Sequence, residues 1–188
     1  TVKVEGKYHL IILGSDPRGT AYGLLELSRL MGISPWCWWA DVTPEKRERL
    51  DLPINYKNKQ QPSVKYRGIF LNDEDWGLSP WSARNFEQSS VKNEIGTKTY
   101  TRIFELLLRL RANTLWPAMH KCSTPFYWLK GAKELAAQYG IVIGTSHCEP
   151  LMRNNVGEWN RSEDEEYNYV TNKELVNQYW SKRLEEVC

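Results

Sequence analysis

Hydrophobic and polar positions change their period several times along the chain, and each change marks an element. Residues 8–13 form a short apolar run of strand length, followed by the turn residues Gly14-Ser-Asp-Pro-Arg-Gly19. From Thr20 to Met31 the period lengthens: Ala21, Leu24, Leu25 and Ser28 fall on one face of a helix, with Gly32 placed to cap its C-terminus. Residues 41–61 carry Pro44, Pro53 and a polar tract with no usable period, so a domain boundary is expected near Pro62. The expected division is residues 1–61 and residues 62–188.

Beyond that boundary strand and helix patterns alternate three times. Residues 64–71 hold the β-branched, aromatic and aliphatic mix of a buried strand. After a long loop, a helix over 98–111 aligns Tyr100, Ile103, Phe104, Leu107 and Leu108 in one stripe. A strand over 114–119 follows, then a helix capped by Ser123 or Thr124 with Pro125 at its first position, burying Leu129, Ala132, Ala136 and Tyr139 until Gly140 stops it. Residues 141–145 form the third strand. Thr171 and Glu174 have the spacing of a capping box for a last helix burying Val176, Trp180, Leu184 and Val187.

Three strands joined by helical crossovers should be parallel. The fold class is α/β, a small α/β portion followed by the first three βα units of a (β/α)8 barrel. Such a barrel needs about 250 residues, and the stretch from Val64 to Cys188 is too short for one. The natural polypeptide is therefore expected to continue, its missing C-terminal part supplying the partner for the open strand edges.

Composition narrows the class of function. Of 188 residues, 25 are basic and 23 acidic, a net charge of +2 that gives no electrostatic reason to expect nucleic acid or an anionic membrane as partner. No apolar run reaches the roughly 20 residues of a membrane span. Cys37, Cys122, Cys148 and Cys188 show neither a C-x-x-C pair nor zinc-finger spacing, and their disulfide state stays open. Nine Trp and ten Tyr stand out, several beside turn residues, as in Pro35-Trp36-Cys37-Trp38-Trp39 and Pro80-Trp81. They are either packing residues between two layers or flat faces for sugar rings.

Candidate chemistry clusters where the strands end. In parallel α/β folds the C-terminal ends of strands face the ligand. Asn72, Asp73, Glu74 and Asp75 follow the first strand, Trp116 and His120 surround the end of the second, and His147 and Glu149 follow the third after Gly144-Thr-Ser146. A carboxylate such as Asp73 can orient a water or accept a proton from a sugar hydroxyl, while Asn72, Trp116, His147 and Glu149 are candidates to bind the substrate. The alternative for the acidic residues is bonding to donors of the following loop. There is no Walker loop, G-x-S-x-G elbow, G-x-G-x-x-G or H-E-x-x-H motif, so no cofactor and no metal is expected. The turn at Gly14 to Gly19 leaves a nucleotide site as a remote third reading.

The segments GSDPRGTAYGLLELSRLMGISPWCWWADVTPEK, KYRGIFLNDEDWGLSPW, NEIGTKTY, ANTLWPAMH and GIVIGTSHCEPLMRNNVGEW resemble glycoside hydrolase family 115, the xylan α-1,2-glucuronidases. The resemblance implies inverting hydrolysis of the bond joining glucuronic or 4-O-methylglucuronic acid to the xylose units of glucuronoxylan, a plant cell-wall polysaccharide. It also implies a secreted or periplasmic location. By the same resemblance Asn72, Asp73 and Trp116 line the uronic-acid pocket, and the general acid and a uronate-binding arginine lie on later strands. This stretch alone is then expected to be inactive. A different class, a non-catalytic carbohydrate-binding module, would present Trp36, Trp38, Trp39 and Trp81 as one flat surface.

Overall fold

The computed structural model describes residues 1–72, 74–88, 95–120, 122–147, 149–159 and 166–187. It opens with an antiparallel hairpin of β1 (Val2–Val4) and β2 (Lys7–His9). Glu5 and Gly6 at its tip both have positive φ, 49° and 80°. Two such residues give the turn twist that suits paired strands. The expected strand over 8–13 is thus confined to its start, because Val2–Val4 supplies hydrogen-bond partners only that far. Beyond it, Ile12 packs so closely on the next helix that a Cβ on Gly23 would stand 2.4 Å from its Cγ2.

That helix, α1 (Pro17–Leu30), begins three residues before the expected Thr20. Asp16 is its N-cap, accepting a hydrogen bond from the Gly19 N–H at 2.6 Å, and Pro17 takes the first position where a missing N–H costs nothing. Gly32, with φ of 89°, follows the last turn as anticipated.

The second part holds β3 (Gly68–Phe70), a π-helical turn (Glu74–Leu78) running into α2 (Ser79–Asn85), α3 (Thr97–Arg109), β4 (Thr114–Trp116), a 3-10 turn (Phe126–Trp128) and α4 (Ala132–Tyr139). Then come β5 (Val142–Ile143), a second 3-10 turn (Pro150–Met152), α5 (Asn155–Glu158) and α6 (Lys173–Val187). The strands lie in the order β3-β4-β5 and both pairings are parallel, in the register Gly68↔Thr114↔Val142 and Ile69↔Leu115↔Ile143. The α/β class and the parallel arrangement hold, though each strand is shorter than its apolar run.

One face of this sheet is covered. Leu115 and Ile143 are buried together with Tyr100, Ile103, Phe104 and Leu107 of α3, Ala132 and Ala136 of α4, and Phe126. The stripe read from the sequence of α3 is the centre of this core. On the opposite face Trp116 is 43% and Val142 39% exposed.

Two capping expectations fail. Ser123 does not open α4; its hydroxyl bonds to the His120 carbonyl at 3.0 Å and closes the turn after β4. Pro125 leads instead into the 3-10 turn, which drives Phe126 edge-on against Tyr100 at 4.9 Å between ring centres, and α4 starts only after Gly131, with φ of 85°. Burial of one large ring outweighs continuation of the helix. Likewise α6 starts beyond Thr171: Asn172 accepts the first helical bond, from Val176 at 3.0 Å. Val176 is buried but Leu184 is 48% exposed, and the side chain of Val187 lies outside the description. The helix is also held by Tyr179 against Trp159 and by the Trp180 indole N–H donating to Tyr167.

Helix α1 packs on α3 at the N-terminal side of the sheet. Tyr22 donates to the carbonyl of Ala112, and Arg18 to that of Gly140, the residues that lead towards β4 and β5. Arg111 pairs with Glu26 at 2.6 Å, and buried Asn113 ties the approach to β3 through the Arg67 N–H and the Lys65 carbonyl. Backbone groups at this end are consumed by the fold, which leaves the opposite end for chemistry.

Candidate active site at the strand ends

At the C-terminal ends of β3 and β4 the chain sets an amide, an indole and an acid–imidazole pair near one another. The Leu71 N–H donates to the Trp116 carbonyl at 2.9 Å, extending the β3–β4 ladder by one step. Asn72 follows directly and is exposed. Asp73, the expected catalytic carboxylate, lies outside the described residues. Asp75 sits in the π-helical turn, and its Oδ2 is 2.7 Å from Nδ1 of His120 in the loop after β4. A carboxylate at neutral pH only accepts, so Nδ1 carries the proton. A hydrogen bond from the Cys122 thiol, and then the one from His120, hold the Asp75 carboxyl below the ordinary carboxylate range.

Trp116 closes β4 and projects over β5. Its ring stands edge-on to Phe70 at 5.8 Å between centres. A Cβ on Gly144 would lie 2.3 Å from the indole Nε1, so glycine is required for the ring to cross there. The ring is fixed from two sides and still 43% exposed, the condition for a platform under a pyranose. Trp76, one residue past Asp75, is 89% exposed.

After β5 the candidates part company. His147 is exposed. Glu149 is 5% exposed and accepts from Asn154 Nδ2 at 2.8 Å. It lines an enclosed space of about 20 Å³ with Pro117, Phe126 and Thr145, room for one water and not for a sugar. Ser146 is buried, its hydroxyl against the Met119 sulfur. The structure therefore gathers Asn72, Asp75, His120 and Trp116 around the β3 and β4 ends, and turns Glu149 into the fold.

A wider groove of about 360 Å³ runs between Tyr127, Trp128, Met152, Arg153, Glu158 and Arg183. Its arginines are already engaged. Arg153 bonds to Glu158 and to the Tyr179 carbonyl, and Arg183 to the Leu151 carbonyl and Glu186. Among the described residues no group of three His, Cys, Asp or Glu side chains is disposed to hold a metal ion, and no helix is long and apolar enough to cross a membrane.

The flat tryptophan surface expected of a binding module does not form. Trp39 stacks on Trp81 at 4.9 Å, Trp81 meets Phe86 edge-on, and Trp38 lies against Phe86 under the Arg102 guanidinium, 3.8 Å from its ring centre. These rings join the segment after α1 to α2 and α3, which is the packing alternative.

Comparison with known proteins adds a separate line of observation. The model of the family described as Glycosyl hydrolase family 115 matches residues 59–188. No curated protein matches the chain. A solved structure described as a novel family GH115 4-O-methyl-α-glucuronidase with specificity for decorated arabinogalactans is 59% identical, with a TM-score of 0.78. The match covers 92% of this chain and 23% of that one, so the chain spans about a quarter of its solved relative.

Proposed function

The chain belongs to glycosyl hydrolase family 115, and from that premise we propose that it carries the first three βα units of a (β/α)8 barrel in an α-glucuronidase, preceded by a small α/β portion over residues 1–61. The reaction is inverting hydrolysis of the bond that joins glucuronic or 4-O-methylglucuronic acid to a plant cell-wall polysaccharide. The supporting observation is the convergence of Asn72 and Trp116 at neighbouring parallel strand ends, in a chain 59% identical to a protein described as a 4-O-methyl-α-glucuronidase.

In this reading Asp73 acts at the anomeric centre as the base or as the group that positions water, Asn72 and His147 hold sugar hydroxyls, and Trp116 supports the ring. Glu149, buried on Asn154, shapes the loop after β5 that presents His147. Inversion requires an acid and a base about 6.5–9.5 Å apart across the scissile bond. Three strands form one wall of such a cleft. The 188-residue chain by itself is accordingly inactive, and the open edges of β3 and β5 pair with further barrel strands of the same polypeptide. A polysaccharide substrate places the protein outside the cytoplasm, in a secreted or periplasmic location.

Two substrates compete. Glucuronoxylan is what the resemblance in sequence implies; the relative's described preference favours a decorated arabinogalactan. Incubating the natural gene product with each polysaccharide and quantifying released uronic acid decides between them. Release from neither removes the hydrolase reading, and release by the 188-residue chain alone removes its incompleteness. Asp73→Ala in the active protein lowers turnover by at least about a hundredfold, and an unchanged rate takes Asp73 out of the site.

A further inference from the structure

The π-helical turn after β3 holds a contact that none of the roles above uses. Asp75 reaches from this turn to the loop after β4, where its carboxylate takes a 2.7 Å hydrogen bond from His120. π-helical turns are rare and recur at functional sites. Here the turn begins at Glu74, two residues past Asn72. On the other side His120 follows Trp116 by four positions, with the rigid Pro117 between them. Both the Ser123 N–H and the Ser123 hydroxyl bond to the His120 carbonyl at 3.0 Å, so the imidazole is presented from a closed turn. The contact thus links the segments that follow β3 and β4 beyond the ladder bond at Leu71, and a proposed sugar-binding residue, Asn72 or Trp116, stands at each strand end.

We propose that Asp75 and His120 form a clasp that fixes the distance between the strand end at Asn72 and the Trp116 platform, making His120 and Asp75 positioning residues for the uronic-acid pocket. The proposal rests on the glucuronidase reading for its substrate, while the clasp itself is a matter of two side chains. Its chemistry is that of a charge-assisted hydrogen bond, stronger and more directional than a neutral one. With the imidazole removed, this tie between the loops after β3 and β4 is lost. A substrate held between the two loops then loses the geometry that makes both contacts simultaneous.

Kinetics of the natural gene product on a uronylated oligosaccharide test this. His120→Ala is expected to raise KM about tenfold, equivalent to about 1.4 kcal/mol of binding, with kcat falling by less. His120→Asn keeps an N–H donor where Nδ1 stood and is expected to return KM to within about threefold of wild type, roughly 0.65 kcal/mol on the same scale. Wild-type KM in His120→Ala overturns the clasp; so does His120→Asn as impaired as His120→Ala, which would make the ring itself a substrate contact. A second reading needs no substrate. Alkylation of Cys122, two residues past His120 in the same loop, followed by peptide mass spectrometry, is expected to be several-fold faster in Asp75→Ala, in which the acceptor that holds His120 and its loop is gone. Equal rates overturn the proposal even where activity is intact. Should the wild type release no uronic acid, the hydrolase reading falls while the alkylation rates still decide the clasp.

Discussion

At the scale of single residues the site depends on what neighbours permit. Gly144 illustrates it: with a Cβ 2.3 Å from the Trp116 indole nitrogen, Gly144→Ala must push the ring off its place or part β4 from β5. A shift in tryptophan emission and a loss of activity of up to about a hundredfold are expected, with a melting temperature lowered less than in a core truncation. Asp75 carries a pH signature of definite sign. Its pKa in the folded protein is lowered, chiefly by the Cys122 thiol and then by His120. The stabilisation is therefore complete above the unfolded value of about 3.9 and disappears as pH falls through the lower folded value. The difference in melting temperature between wild type and Asp75→Asn should be present above about pH 4 and shrink as pH falls further; a difference unchanged into strong acid would assign the effect to another group.

At the scale of elements, periodicity located helices better than their ends. The stripe on α3 places Tyr100, Phe104 and Leu107 at 0%, 0% and 1% exposure, as its spacing anticipates. Leu107→Ala is expected to cost about 2–5 kcal/mol, measured by denaturant unfolding. Asp16→Ala removes the acceptor that caps α1 and should cost about 1 kcal/mol, provided α1 unfolds with the rest. The ends of α4 and α6 were misread because Ser123, Thr124 and Thr171 have capping chemistry that other bonds or other residues claimed. For α4 the decision belonged to Phe126, whose burial against Tyr100 and Phe104 is a tertiary matter. The segment of α2 was hidden inside an apparent loop, since seven residues with proline at the second position make fewer than two turns, too few for a repeating stripe to show.

At the scale of the whole molecule the two ends of the sheet divide the work. The N-terminal side is tied by Tyr22, Arg18, Arg67, Arg111 and Asn113, and Tyr22→Phe is expected to cost about 1 kcal/mol without altering substrate affinity. Measured together, stability and KM test the division: a changed KM in Tyr22→Phe would show that the ends are coupled. Across the sheet, one face carries the helices and core while the other leaves Trp116 and Val142 open. That asymmetry is what the proposed barrel explains, because its interior face is filled by layers contributed by other strands.

The sequence by itself determined the α/β class, the order of three βα units, the buried stripe of α3 and the crowding of Asn72, Asp75, Trp116 and His147 at strand ends, since these follow from period and chain order. Tertiary structure alone decided that Asp75 meets His120, that Glu149 turns inward to Asn154, that Trp39 and Trp81 stack on each other, and that Val2–Val4 pairs with Lys7–His9. Each of these is a choice among partners of equal chemical fitness. Proximity settles such a choice, and proximity between distant residues is created only when the chain is packed.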